Sequence, residues 1–265
     1  MKVSSVVGGS SGLGVYSNGC YDWDKFNADS YLEANYVELR DDDREMLRRV
    51  AKFFSRLGKG LGVGARGLDV GPGSNLYPAL SMLPFCGTLD FWEWSQSNVA
   101  WLRRQTLDLD LDLKWPWYAY WNILLGESEY RQIADPRTTL ARLANVRKGN
   151  IFALPKRHWD LGTMFFVAES ITCDRNEFDL AISSFLRALK PGAPFAAAFM
   201  TESQGYTVDG IRFPAFAVSR QRIESLLLLH GANSGLSVDP IPTASPVRQG
   251  YKEMVLAIGT VDWDV

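Results

Sequence analysis

Cysteine and histidine are scarce: three cysteines (Cys20, Cys86, Cys173) and two histidines (His158, His230) in 265 residues. Three widely spaced cysteines give no disulfide framework and fit a reducing compartment, here expected to be the cytoplasm. With no Cys-x-x-Cys pair and no paired histidines, no metal is expected. Neither sign of charge is in excess, with 28 Lys and Arg against 30 Asp and Glu, and there is no basic block. A phosphate-tracking surface is excluded on that ground, so no nucleic-acid partner is expected. Long apolar runs are missing too. The run at Phe195–Phe199 is far shorter than the ~18–20 residues of a membrane span. The Gly- and Ser-rich start lacks the apolar stretch of a signal peptide, and no membrane partner is expected.

What is present is a 46% apolar chain, long enough to bury one large core. Residues 1–22, with Gly8, Gly9, Gly12 and Gly14, read as a flexible arm. Residues 23–265 read as a single domain, with a helical lid over 23–60 and an α/β core over 61–265. Apolar residues at helical spacing (Leu32, Tyr36, Leu39; then Met46, Leu47, Val50, Phe53, Phe54, Leu57) predict one broken or two short helices over 29–57, interrupted near Asp41–Asp43. Strands are predicted at Arg66–Val70, Thr88–Trp94, Gly149–Ala153, Gly162–Ala168, Phe195–Phe199 and Met254–Ile258. Helices are predicted near Asn75, at Ser97–Gln105, over 129–146, from Asp174 to Leu189 behind a capping-box-like Asp174/Glu177 pair, and at Arg220–Leu229. The Leu/Asp alternation at Leu107–Leu113 fits either a strand or a solvated turn. Strands alternating with helices imply a parallel sheet covered on both faces, a doubly wound α/β fold.

In such sheets ligands bind beyond the carboxyl ends of the strands. The first strand runs into Leu68, Asp69, Val70, Gly71, Pro72, Gly73. Glycines there remove Cβ atoms and let backbone approach a ligand. No third glycine follows at dinucleotide spacing; Tyr77 and its neighbours stand there instead. That argues against a pyrophosphate-bearing cofactor and for adenosylmethionine. Glu93, at the end of the second strand, is placed to accept hydrogen bonds from both ribose hydroxyls. A second glycine run, Val6–Gly14, has the look of a short-chain dehydrogenase turn, with Tyr21 and Lys25 at Y-x-x-x-K spacing. It fails because Tyr16–Asp24 is too rich in Asn, Gly and Asp to open the required helix.

The chain resembles the methyltransferases that include nicotinamide N-methyltransferase, phenylethanolamine N-methyltransferase and the thioether methyltransferases. The likeness rests on Phe26, Asn27, Asp29, Tyr31, Leu32 and Tyr36; on Leu68–Gly73 with Tyr77; on Glu93, Trp94, Ser95 and Asn98; and on Leu186–Gly192. The wording around Ser95–Leu102, Phe166–Thr172 and Gly205–Pro214 is also similar to uncharacterised actinobacterial members. The resemblance implies a Rossmann-like class I methyltransferase fold with a mostly parallel seven-stranded sheet, an N-terminal helical lid, and S-adenosyl-L-methionine as cofactor, leaving as S-adenosyl-L-homocysteine. It implies that Tyr31 and Tyr36 contact the methionine end, that Gly71, Pro72 and Gly73 approach by backbone with Asp69 beneath and Tyr77 beside them, and that Glu93, Trp94 and Asn98 lie at the ribose. Asn150 and Ile151 fall at the adenine, Asn150 where the family has Asp; its carbonyl can still accept.

The departures bear on the acceptor. Where amine-binding members carry an acid this chain has Met200, followed by Thr201 and Glu202. Glu202, or Glu169 past the fourth strand, is the candidate acceptor-binding acid, and Asp174 reads as a helix cap. The aromatic group Trp115, Trp117, Tyr118, Tyr120, Trp121 either packs the core or stacks on a flat substrate, and His158 is a possible proton acceptor in a surface loop. The expected reaction is direct methyl transfer to a small-molecule acceptor, foremost a nitrogen, by a monomer or homodimer. A cofactor-binding sensor or scaffold without turnover, or an O-methyltransferase, are the alternatives.

Overall fold

The structure is a computed structural model that describes residues 17–62, 64–107, 115–232, 234–243 and 250–262. The Val6–Gly14 fingerprint and all of the Leu/Asp alternation after Leu107 lie outside the described residues. Seven strands form one sheet in the order β3-β2-β1-β4-β5-β9-β8. These are β1 (Arg66–Val70), β2 (Thr88–Glu93), β3 (Ala144–Lys148), β4 (Leu161–Phe165), β5 (Pro194–Met200), β8 (Ser234–Ile241) and β9 (Met254–Thr260). β1 to β5 pair in parallel, and β9 runs antiparallel between β5 and β8. Between β5 and β8, β6 (Tyr206–Val208) and β7 (Ile211–Phe213) form a separate antiparallel hairpin.

Period-two alternation explains why a uniformly apolar strand such as β5 belongs in the middle. Phe195, Ala197 and Phe199 join the core on one face, and Ala196, Ala198 and Met200 the core on the other. The first face is covered by α7 (Arg175–Ala188) and α8 (Arg220–Leu229). The second is covered by α2 (Asp41–Leu57), α3 (Tyr77–Leu80), α4 (Gln96–Leu107), α5 (Trp117–Leu124) and α6 (Pro136–Leu143), with α1 (Ala28–Asn35) at the edge. The mostly parallel seven-stranded sheet with helices on both faces is thus as expected.

Several boundaries differ from the sequence reading. The helix expected over 129–146 shrinks to α6, which starts where Pro136 takes the first helical position and Asp135 accepts from the Thr138 amide at 2.9 Å. The third strand is Ala144–Lys148 rather than 149–153. As an edge strand with mixed burial, it turns Asn145 and Arg147 onto the Asp90 carboxylate (2.6 and 2.9 Å), so its sequence lacks an apolar signature. Residues 151–153 form a 3-10 turn instead, capped by the Asn150 side chain. Asp41–Asp43 are not the break between the first two helices but the first turn of α2, where the helix dipole favours acids. α5 was hidden because its Trp, Tyr and Leu residues leave no polar face, β8 because Gly235 and Pro240 interrupt an edge strand, and β6 and β7 because each is only three residues long. Asp174 caps α7, accepting from Asn176 N and Glu177 N (2.6 and 3.2 Å). The return half of the capping box is absent: Glu177 accepts from Thr172 Oγ1 and from the amide of Asn18 (2.5 and 2.7 Å). Residues 17–22, expected to belong to a flexible arm, are in this way tied to the core.

Candidate active site

Strand order reverses between β1 and β4: β2 and β3 lie to one side, β5 to the other. At that point a crevice must open above the carboxyl ends, and a cavity is found there. One half, above β1–β3, is lined by Gly71, Pro72, Asn75, Glu93, Trp94, Asn98, Gly149, Asn150 and Ile151. The other half, above β4–β5, is lined by Phe165, Phe166, Val167, Ser170 and Met200, and Trp23, Phe26, Tyr31, Tyr36 and Tyr206 complete the lining; the segment bearing Trp23 and Phe26 is bonded to the start of α4, where Asp24 accepts from Ser95 Oγ and the Gln96 amide (3.2 and 2.6 Å), and packs on Phe213 of β7.

The floor of the first half is backbone. Gly71 and Gly73 both hold left-handed φ values, +59° and +53°, which residues with a Cβ adopt only under strain. A Cβ on Gly71 would lie 2.8 Å from Val167 Cγ1. The Gly71 amide donates to Trp92 O (2.9 Å), and the Gly73 amide donates to Glu93 Oε2 (3.0 Å). Glu93 Oε1 accepts from the Ser95 amide (2.8 Å), so the buried carboxylate is held by two loops at once. Burial raises its pKa above the ordinary carboxylate range, while the Ser95, Gly73 and Trp94 amides and the Asn98 side chain pull the other way.

Around this turn several buried polar atoms have no hydrogen-bond partner: Asp69 Oδ2, Ser74 Oγ, Asn75 Nδ2 and Asn98 Oδ1. Such atoms are rare and call for a ligand, a water or strain. Asn75 Oδ1 is fixed by the Tyr77 amide (3.2 Å). Asp69 is fully enclosed, accepts from Thr163 Oγ1 (2.7 Å), and has its pKa pushed up to about 8 by burial, with the nearby Glu93 charge adding to the rise.

Of the residues singled out in the sequence, Tyr31, Tyr36, Gly71, Pro72, Glu93, Trp94, Asn98, Asn150 and Ile151 line the cavity, whereas Asp69, Gly73 and Tyr77 do not. Tyr77 is completely buried. Its ring stacks on Tyr120 (5.3 Å) and meets Tyr36 and Phe165 edge-on (6.0 and 5.7 Å), so it props the wall rather than facing the cavity. Asn150 Oδ1 accepts from the Phe152 amide (2.9 Å), which engages the carbonyl expected at the adenine.

The two candidate acceptor-binding acids are not brought in. Glu169 is completely buried and accepts from the Met200 amide (2.9 Å), fastening the end of β5. Glu202 is exposed in the next turn, with φ at +52° and its amide donating to Val218 O (2.9 Å). Met200 stands at the cavity in their place. Trp115, Trp117, Tyr120 and Trp121 are core, and Tyr118 is exposed. His158 packs edge-on against Trp159 (4.7 Å) away from the cavity. Among the described residues no group of His, Cys, Asp and Glu is arranged to hold a metal, and no helix is long and apolar enough to cross a membrane.

Sequence reasoning did not single out Asn18, Trp23, Asn75, Phe165, Ser170 or Ile171 as lining residues. Asn75 alone had a local signal, two positions beyond the second glycine; the others converge from distant segments.

Two solved structures illustrate the fold-level likeness. Magnesium protoporphyrin IX methyltransferase (ChlM) from Synechocystis PCC 6803, solved with bound SAM, aligns with a TM-score of 0.51 at 10% identity, covering 83% of this chain and 80% of that one. N-methyltransferase NodS from Bradyrhizobium japonicum WM9 aligns with a TM-score of 0.50 at 12% identity, covering 82% and 97%. At such identities the likeness is one of fold. No curated protein matches the sequence. The model of the NNMT/PNMT/TEMT family, by contrast, matches residues 17–246, and the chain belongs to that family.

Proposed function

We propose that this protein is an S-adenosylmethionine-dependent methyltransferase acting on a nitrogen of a small-molecule acceptor, with the N-terminal helices closing its cavity. The observation that carries the reading is Glu93: a buried carboxylate at the tip of β2, pinned by the Gly73 and Ser95 amides, beside backbone that Gly71 leaves bare. The unpartnered atoms around it suit a ligand rich in both donors and acceptors, as a nucleoside joined to an amino acid is. Glu93 would accept the ribose hydroxyls, with Asn98 Oδ1 beside it. Asn150, Ile151 and Trp94 would flank the adenine. Asn75 Nδ2, Tyr31 and Tyr36 would face the methionine end. When bound, the cofactor supplies an already activated methyl group. What the chain must do is align the acceptor and exclude water, and positioning of that kind lowers barriers by roughly 7–11 kcal/mol.

Nitrogen is favoured over oxygen by the acceptor half itself. A hydroxyl must lose its proton, and no His, Lys, Asp or Glu is among the described lining residues above β4–β5. A neutral amine needs no base before attack. Calorimetry with S-adenosylhomocysteine tests the reading. The wild type should bind, and Glu93→Ala should lose about 1.5–3 kcal/mol, the range for a hydrogen bond to a charged group. Wild-type affinity in the variant would remove Glu93 from the site. A sensor that binds without turnover is the second reading, favoured by the engaged Asn150 carbonyl; a labelled-methyl screen over amines, phenols and thiols separates it.

A further inference from the structure

We infer that Asp43, in the first turn of α2, is a positioning residue that acts through Tyr36 to make the methionine end of the cavity prefer a ligand positively charged at sulfur over the neutral thioether that transfer leaves; this rests on the methyltransferase reading of the same cavity. Asp42 and Asp43 are both buried (1% and 3% exposed), and burying a charge is costly unless it is paired. Asp42 is answered: Arg40 donates to it from Nε and Nη2 (3.2 and 3.3 Å) and Thr243 from Oγ1 (3.0 Å). Asp43 forms no ion pair among the described residues; Arg40, the cation that bears on it, is engaged with Asp42.

Asp43 faces hydroxyls instead. Tyr77 Oη stands against both Met46 Sδ (3.6 Å), one turn along α2, and the Asp43 carboxylate; of the two the carboxylate is the stronger acceptor. The Asp43 charge also bears on Tyr36 and Tyr120. These rings form one packed group with Trp117: Tyr36 meets Tyr77 edge-on at 6.0 Å and Trp117 at 5.6 Å, and Tyr120 stacks on Tyr77 at 5.3 Å. Trp117 Nε1 and Tyr120 Oη have no hydrogen-bond partner, so donors close by leave the carboxylate unanswered. Tyr36 is the member of the group that also lines the cavity, with Tyr31 bonded to it. Tyr31, Tyr36 and Tyr206 bring neutral hydroxyls to the cavity, no Lys, Arg or His is among the described lining residues, and the lining acid, Glu93, is held in the other half by the Gly73 and Ser95 amides. Asp43 is therefore the carboxylate one ring behind the methionine end, buried where solvent screens it little. Donor and product differ there by one charge: as the methyl group leaves, the C–S pair stays on sulfur and the sulfonium becomes a neutral thioether. An ionised Asp43 attracts the first and not the second, so the donor is held and the product released. Burial and the Asp42 charge push the Asp43 pKa up to about 7, against the Tyr77 hydroxyl and Arg40, and the preference grows as pH rises through that value.

Calorimetry on the wild type and Asp43→Asn with S-adenosylmethionine and with S-adenosylhomocysteine tests this, at about pH 8, where Asp43 is ionised, and at about pH 6, where it is protonated. Asp69 and Glu93 are common to both proteins, so the difference between them reports Asp43. At the higher pH the variant should bind S-adenosylmethionine about tenfold more weakly, with S-adenosylhomocysteine affinity within about twofold of wild type. At the lower pH the two proteins should bind S-adenosylmethionine alike. Equal losses for both ligands would make Asp43 a prop for the rings and nothing more, and no loss at the higher pH would mean that its charge does not reach the cavity; either overturns the inference and leaves the cofactor reading standing. Failure of S-adenosylhomocysteine to bind the wild type would bring down both. Tyr77→Phe carries the same test should Asp43→Asn not fold. It removes the donor that favours the charged carboxylate, so the pH at which the preference for S-adenosylmethionine sets in should move up relative to wild type. An unmoved midpoint overturns the inference.

Discussion

The two halves of the cavity are built by opposite means. Above β1–β3 the wall is bare backbone, one pinned carboxylate and buried polar atoms without partners, with six of its nine lining residues from two strand-to-helix turns between Gly71 and Asn98 and the other three from Gly149 to Ile151. Above β4–β5 it is aromatic rings from the N-terminal segment, the ends of two strands and the β6–β7 hairpin. A half made of backbone geometry tolerates little substitution, because φ values and Cβ clashes leave no slack. A half made of side chains can change its occupant one ring at a time. The first suits a cofactor that never varies, the second an acceptor that does.

The sharpest way to break this contrast is to add one methyl group to each half. Gly71→Ala places a Cβ 2.8 Å from Val167 Cγ1 at φ +59°. Left-handed strain alone costs about 1–3 kcal/mol, and relief of the clash would move the turn that bears Gly73 and, through it, Glu93. Loss of S-adenosylhomocysteine binding by tenfold or more is expected by calorimetry, with a fall of several degrees in melting temperature. Ser170→Thr adds the same methyl above β4 at a residue whose φ is not left-handed, and should leave cofactor affinity unchanged while altering which acceptor fits. Equal losses of cofactor affinity in both variants would mean the halves are not independent.

A smaller effect distinguishes the halves by pH. The carboxyl of Asp69, under the first half, has its pKa pushed up to about 8 by burial, against about 4 in the unfolded chain. Between those values the folded protein holds a proton that the unfolded chain releases, so this group's contribution to stability falls as pH rises from about 4 towards 8. In Asp69→Asn, where Oδ1 can still accept from Thr163, the decline in melting temperature over that window should be shallower. An unchanged slope would mean that Asp69 is ionised in the fold.

The same division explains what could be read from the sequence. The first half was legible because its signals are local: Gly71-x-Gly73 and Glu93 announce a turn and a strand end whatever surrounds them. β5 was legible because a strand buried on both faces is uniformly apolar, β1 and β2 because short apolar stretches run into Gly71 and Glu93, and α8 because Ser219 stands at its N-cap. β3 and β8 were not, since an edge strand shows a polar face and pairs on one side only or is broken by Gly and Pro. The second half was illegible because nothing in Trp23, Phe166 or Ile171 declares that 150 residues of chain fold back to bring them together. Tyr77 misled for the converse reason: a marker shared with a family does not say whether a ring faces the cavity or supports the ring that does.

The two acids nominated for the acceptor sharpen the comparison at its smallest scale, because sequence gave them one role and the fold gives them two different ones. Glu169→Ala deletes a buried acceptor from the Met200 amide and should cost about 1–3 kcal/mol, seen as a lower melting temperature, with acceptor affinity falling through displacement of Met200. Glu202→Ala removes an exposed side chain and should stay within ±0.5 kcal/mol, with acceptor binding unchanged. If Glu202→Ala alone abolished acceptor binding at wild-type stability, the turn after β5 would have to fold inward in the complex. The half above β4–β5 would then carry a charge after all, and nitrogen would no longer be favoured over oxygen there.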